Sequence, residues 1–384
     1  MTIGGRLKKI QSLIASQHLD LAIVSSPADI HYLTQIAVSS VEREATLYIT
    51  PTTCVLLHSP LLTVRASATI TAQPALSSDT RKELISRLVI SEQPRIGAQE
   101  TDLHVNEFKS LKKSFKQAKF VDISNVCAIA RSIKSAPEIE SLRKAGSITA
   151  AVMKWVVRTI GAPQDAQPIA AAHALTACGS TSSITELDFL AQNIQKLLHQ
   201  HALSEIKLTQ HIEMALGLLG SQDLAFPVHV AFDEHTASPH HQPGNKLLKK
   251  NAVVMLDFGA KVDGYCADMT RTICLSPTPP DQFVTIKKIV DLAYEKASEA
   301  LSDANSKASQ IDKVARHIIT QAGYGKYFPH STGHGVGLEI HEQPSISPSN
   351  HQALLSGMVI TIEPGIYLPN QFGYRTEDTV LVTA

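Results

Sequence analysis

The sequence predicts an α+β chain of two domains, an N-terminal α/β unit over residues 1–132 and a C-terminal domain over 133–384. Three observations lead there. A length of 384 residues suffices for two domains with a sizeable core each. The first 125 residues alternate strand and helix patterns, whereas the chain beyond about residue 224 is dominated by strands. Between them, SIKSAPEIESLRKAG (132–146) carries a helix start and marks the boundary.

Taken in order, Leu7, Ile10, Leu13 and Ile14 recur at helical spacing, and DLAIVS (20–25) follows as a buried strand. ATLYIT (45–50), CVLLHS (54–59), RIGAQ (95–99) and KFVDIS (119–124) read as further strands, with a charged helix over 104–117 between the last two. This alternation predicts a small layered domain on a mixed sheet. It holds no catalytic constellation, and His31 and Tyr32 in ADIHYLT read as structural residues. Ser135 before Pro137 then starts a helix that runs to about Ile160. A second helix is expected near 164–178 and a third from Thr185 to about His201, where Thr185 and Asp188 resemble a capping box. Beyond residue 224, helices near 281–302 and 308–322 interrupt the strands. No internal repeat or low-complexity tract is visible.

Composition narrows the function. Lys+Arg and Asp+Glu balance at 35 each, and no long basic run tracks phosphates, so nucleic acid is not an expected partner. Cys54, Cys127, Cys178, Cys266 and Cys274 are scattered and form no CxxC pair, which fits reduced thiols in a cytoplasmic protein. The N-terminus lacks the apolar core of a signal peptide, and no stretch approaches the ~20 apolar residues of a membrane span.

Five residues of the last third carry the chemistry: Asp257, Asp268, His334, Glu363 and Glu377. In NAVVMLDFGAKVDGYCADMTRTICL, VVMLDF and YCADMTRTICL read as two strands of a hairpin. If the hairpin is symmetric about Val262–Asp263, Asp257 faces Asp268. Two such carboxylates repel unless a cation compensates. Exposed turn acids are the ordinary alternative; Asp263 fits that reading, while Asp257, embedded in an apolar strand, does not. The geometry recurs where VITIEPGIY and YRTEDTVLV flank LPNQFG: a turn centred on Asn370 places Glu363 opposite Glu377. The block GHGVGLEIHE adds His334 and His341, with glycines that let backbone approach a metal or substrate closely. It is neither a phosphate loop nor an HExxH zinc motif. Four acids and an imidazole suit two divalent cations. Of Asp233, Glu234, His235, His240 and His241 in FDEHTASPHHQPG, several read as solvated loop residues.

SPHH, LDFGAKVDGYCADMTRT, GHGVGLEIHE, TIEPG and YRTED together resemble the pita-bread metallopeptidase family, which contains prolidase, aminopeptidase P and methionine aminopeptidase. RLKKIQSLIASQHLDLAIVSSPADIHYLT is similar to the creatinase-type leading domain of that family, so the resemblance spans nearly the whole chain and favours the Xaa-Pro peptidases. It implies a creatinase-like domain followed by a pita-bread domain. The implied metal ligands are Asp257, Asp268, His334, Glu363 and Glu377, holding two divalent ions, Mn2+ first, with Co2+, Zn2+ or Fe2+ as alternatives. It further implies that His240 and His341 are pocket histidines, that Arg375 orients substrate or the surrounding acids, and that the protein is a homodimer. Thr376 departs from the family pattern, which has a branched apolar residue between the arginine and the glutamate.

The activity so implied is hydrolysis of Xaa-Pro bonds, in dipeptides or at peptide N-termini, with Glu363 as general base. His240 and His341 would stabilise the oxyanion or the substrate ends. A metal-free creatinase-like C–N hydrolase and a non-catalytic pita-bread binding protein are the alternatives. Members of either kind have lost ligands, whereas all five stand in this chain.

Overall fold

A computed structural model describes residues 2–39, 42, 44–64, 69–74, 77–161, 184–302 and 306–383. The chain divides into two compact units, Met1–Arg131 and Ser132–Ala384.

In the first unit, α1 (Ile3–Ser16) is capped by the Thr2 hydroxyl, which accepts from Gly5 N at 3.2 Å, and it buries Leu7, Ile10 and Ile14. A six-stranded mixed sheet follows, built from β1 (Leu21–Val24), β2 (Ala45–Ile49), β3 (Cys54–His58), β4 (Thr71–Pro74), β5 (Arg95–Ala98) and β6 (Lys119–Asp122) in the order β4-β3-β2-β1-β5-β6. The five expected strands are present, and the charged helix becomes α4 (Val105–Ser114). Helices α2 (Pro27–Thr34), α3 (Ser78–Leu88) and α5 (Ser124–Ser132) and strand β4 were not legible in the sequence. The physical reason is weak patterning: α3 buries only Leu84 and Ile85, and no residue of β4 is buried. Tyr32 is a core residue whose hydroxyl donates to the Ala130 carbonyl at 3.3 Å.

The second unit opens with α6 (Ala136–Thr159), where the Ser135 backbone N–H donates to Glu138 at 2.9 Å and Pro137 occupies the first turn. The helix expected near 164–178 lies outside the described residues, as does the side chain of Thr185. The third helix is α7 (Ile184–His199), and α8 (Glu205–Leu218) is an addition to the expected set. Helices α9 (Asp281–Glu299) and α10 (Ala308–Gln321) match the two expected later in the chain.

The centre of this unit is a seven-stranded antiparallel sheet. Its strands are β8 (His229–Phe232), β9 (Val253–Phe258), β12 (Met269–Cys274), β13 (Gly333–Gly335), β14 (Glu342–Ile346), β15 (Val359–Ile362) and β18 (Glu377–Leu381), in the order β14-β13-β15-β18-β12-β9-β8. Short strands β7 (Asp223–Leu224), β10 (Ala260–Val262) and β11 (Tyr265–Cys266) form a small sheet, and β16 (Gly365–Leu368) pairs with β17 (Phe372–Arg375). Successive residues of a strand face opposite sides. Val254, Leu256 and Phe258 of β9, Ile273 of β12, Ile360 and Ile362 of β15 and Val380 of β18 belong to the apolar cores shared with the helices. Their alternates, Asp257, Thr270, Thr361 and Glu377, therefore share the other face.

The register of the first hairpin departs from the expected one. Val262 pairs with Tyr265, so the turn is Asp263–Gly264, both at positive φ (51° and 83°), and Asp257 pairs with Thr270 rather than Asp268. An Asp-Gly pair supplies the two left-handed residues that a two-residue hairpin loop needs. The shift is two residues along one strand, and an even shift leaves every side chain on its face. Asp268 is thus a diagonal neighbour of Asp257 instead of its direct opposite. The second hairpin is centred on Asn370 as expected: Leu368 pairs with Phe372 and Ile362 with Asp378. Glu363 and Glu377 fall in register where the β15–β18 ladder gives way to β16–β17.

Gly259, at the join of β9 and β10, is held by close approach: a Cβ there would lie 1.7 Å from the Ala267 carbonyl oxygen. Gly259→Ala is expected to destabilise the second unit by about 2–3 kcal/mol through overpacking. Calorimetry would show this as a Tm lowered by roughly 5–10 °C, while an unchanged Tm would mean the strands part freely at that point.

Candidate metal centre

Five adjacent strands each deliver one of the singled-out residues to the same face of the large sheet. His334 lies on β13, Glu363 directly after β15, Glu377 at the start of β18, Asp268 directly before β12, and Asp257 on β9. All five line one cavity of about 400 Å³, together with His240, His341 and Arg375. Ligand atoms of Asp268, His334 and Glu377 lie within 4.8 Å of one another. The glycines beside His334 permit this: a Cβ on Gly333 would stand 2.0 Å from the Thr361 carbonyl oxygen, and one on Gly335 2.3 Å from that of Gln343. Only bare backbone fits between β15 and β14 there.

His334 Nδ1 donates to the Gly335 carbonyl at 3.1 Å, and burial lowers the pKa of the ring, so Nε2 presents a lone pair. That lone pair faces Asp268 Oδ2 at 3.5 Å and Glu363 Oε1 at 3.4 Å. The ring nitrogen thus stands against two carboxyl oxygens at once. Asp257 Oδ1 is also buried without a hydrogen-bond partner. Burial, reinforced by the other carboxylates, pushes the pKa values of Asp268 and Glu377 well above the usual range. Burial also raises that of Glu363. A set of carboxylate oxygens and one imidazole, crowded and short of positive charge, suits divalent cations.

Arg375 is the cation resident at the wall. Its Nη2 donates to Asp257 Oδ2 at 2.6 Å, its Nε to Thr270 Oγ1 at 2.9 Å, and its Nη1 to the Tyr367 hydroxyl at 2.9 Å. Burial opposes the guanidinium charge, but Tyr367 and the acids outweigh it and hold the pKa well above its ordinary value. The Thr270 hydroxyl in turn donates to Glu377 Oε2 at 2.6 Å. Thr376, between Arg375 and Glu377, turns to Asp291 Oδ1 at 3.1 Å.

Several cavity residues escaped the sequence reading. His330 donates from Nδ1 to the Ser331 carbonyl at 2.7 Å, and its Nε2, kept neutral by burial, accepts from Tyr367 at 2.9 Å. Its signal was the His-Ser-Thr-Gly-His spacing, four residues before His334. His229 pairs with Asp257 across β8 and β9 and lines the same cavity, with Phe226, Pro227, Pro239 and Ile340 as the apolar wall. His341 packs edge-on against His334, ring centroids 4.4 Å apart, and burial lowers its pKa as well. Of the acids and histidines in FDEHTASPHHQPG, Glu234 and His240 are exposed as expected of a loop, whereas His235 and His241 bond to the buried Glu205.

Residues 140–384 match the description Metallopeptidase family M24, and residues 6–133 match Creatinase/Prolidase N-terminal domain. The chain belongs to metallopeptidase family M24. An uncharacterized peptidase of Staphylococcus haemolyticus is 32% identical to this M24 chain over 98% of it and 96% of the relative. Among solved structures, the Xaa-Pro dipeptidase of Bacillus anthracis is 25% identical with a TM-score of 0.80, covering 100% of this chain and 95% of its own. The X-Pro aminopeptidase of Thermotoga maritima is 25% identical with a TM-score of 0.73, covering 97% and 95%. The M24 chain accordingly pairs a creatinase-type N-terminal domain with a pita-bread C-terminal domain. No helix among the described residues is long and apolar enough to cross a membrane.

Proposed function

We propose that this M24 chain is an Xaa-Pro peptidase that works with two divalent cations held by Asp257, Asp268, His334, Glu363 and Glu377. The observation that carries the proposal is the convergence of the His334 ring nitrogen on the buried carboxyl groups of Asp268 and Glu363, at 3.5 and 3.4 Å, with Glu377 beside them. Bound there, the cations would supply an acidified water and polarise the scissile carbonyl. The rest falls to the chain. Glu363 takes the proton of the attacking water and returns it to the departing nitrogen. His240 and His341, on the cavity wall, donate to the oxygen on which charge develops or to the substrate ends. Arg375 holds Asp257 and, through Tyr367, His330 in place.

A proline after the scissile bond makes a tertiary amide without an N–H, so ring shape must be recognised instead. Phe226, Pro227, Pro239 and Ile340 supply an apolar wall of the right character. The names of the two solved relatives, one a dipeptidase and one an aminopeptidase, support an Xaa-Pro substrate and leave its length to be measured. The test is hydrolysis of Ala-Pro and Ala-Pro-Ala by protein loaded with Mn2+ or Co2+. Turnover of the dipeptide alone is the outcome for a prolidase, and turnover of the tripeptide is that for an aminopeptidase. Stoichiometric metal with no turnover of either would sink the Xaa-Pro reading.

A further inference from the structure

The histidine-rich segment after β8 has an organising centre that is not the metal centre. Glu205, the first residue of α8, is fully buried at 0% exposure. Its Oε1 accepts from Phe232 N at 2.9 Å and His235 Nδ1 at 2.8 Å, and its Oε2 from His241 Nε2 and Gly244 N, both at 2.9 Å. Burial acts to raise the pKa of this carboxyl, yet the four bonds outweigh it and hold the pKa below the ordinary value. All four donors come from residues 232–244, and His240 of the cavity wall lies between them. The His241 carbonyl in turn accepts from His229 Nδ1 at 2.9 Å, so a second cavity histidine is fixed through the same anchor.

Glu205, His235 and His241 could be read as a third cation site. The distances argue otherwise. At the metal centre His334 Nε2 stands 3.4–3.5 Å from the carboxyl oxygens, longer than a good hydrogen bond, whereas here each contact is 2.8–2.9 Å, the length of an N–H···O bond. The carboxylate is satisfied without an ion.

We propose that Glu205 is a positioning residue: one buried carboxylate ties down the segment 232–244 and thereby sets the place of His240 in the cavity. The kinetic arm of its test rests on the peptidase reading above. Glu205→Gln keeps the shape but turns an amide NH2 toward two of the four donors. A double-mutant cycle on the metal-loaded full chain compares wild type, Glu205→Gln, His240→Ala and the double variant, using whichever of Ala-Pro and Ala-Pro-Ala is cleaved. Glu205→Gln is expected to lower kcat about 30-fold with KM moved less than about threefold, and to cost less than about threefold once His240 is alanine. Additive losses would overturn the proposal, because Glu205 would then act independently of His240. A third metal equivalent that disappears in Glu205→Gln would overturn it too. If Glu205→Gln fails to fold, His241→Gln replaces it in the cycle under the same criteria. A wild type that cleaves neither peptide would remove only the peptidase reading. The imidazole NMR signals of His240 then decide: a shift in Glu205→Gln is expected, and unchanged signals would overturn the proposal.

Discussion

Glu363→Gln is expected to lower kcat for Xaa-Pro hydrolysis by about 10³-fold, within the range that general acid–base groups contribute. Glutamine preserves the shape of the side chain, and its amide can still stand beside Thr361 Oγ1 and His334, which now lie 3.4 Å from Glu363 Oε1. It cannot take up a proton or carry a negative charge. KM should change little, since the loss falls on a step and not on substrate binding. Steady-state kinetics with metal analysis on the same sample checks this. A variant that keeps two metals per chain and more than a tenth of the wild-type kcat would show that Glu363 is not the proton carrier.

Removing divalent cations is expected to destabilise the C-terminal unit, and increasingly so as pH rises. Asp268, Glu363 and Glu377 have folded-state pKa values raised above the unfolded ones by burial, with mutual repulsion adding to it. A group raised in the folded state contributes stability below its unfolded pKa, about 4 for carboxylic acids, and loses it as pH climbs through the folded value. The metal-free protein should therefore weaken from about pH 4 toward neutrality and beyond. Cations binding the ionised cluster reverse this, because their affinity grows as the protons leave. At a thousandfold excess over Kd a bound ion stabilises by about 4 kcal/mol, or roughly 8–16 °C in Tm for a unit of this size. Calorimetry with and without chelator at pH 5, 6.5 and 8 measures the gain. A gain that is equal at all three, or larger at pH 5, would contradict the unbalanced charge of the cluster.

The two hairpins show how far pattern reading reaches. The one centred on Asn370 was legible because apolar strands of equal length flank a single short loop. The other is displaced by two residues, because its turn follows the Asp263–Gly264 pair, whose backbone adopts positive φ, and not the midpoint Val262–Asp263 between the two acids. The error was harmless to the site, since alternation survives a shift of two. Helix α8 was missed although its first residue, Glu205, anchors a whole segment. Its acceptor role depends on donors 27 to 39 residues away, and no local spacing encodes that. His330 is a similar case, since the partner that fixes its Nε2, Tyr367, lies 37 residues away.

The sequence by itself determined the family, the α+β class and the acids that no apolar strand would carry without a purpose. Those are properties of short blocks, where the residue types and their alternation are already the physical statement. Only the tertiary structure decided which carboxyls His334 meets, that Arg375 is spent on Asp257, Thr270 and Tyr367, and that His235 and His241 bond to Glu205. Each of these is a distance between residues far apart in the chain. Burial, which raises the pKa values of Asp268, Glu363 and Glu377, exists only once the five strands lie side by side.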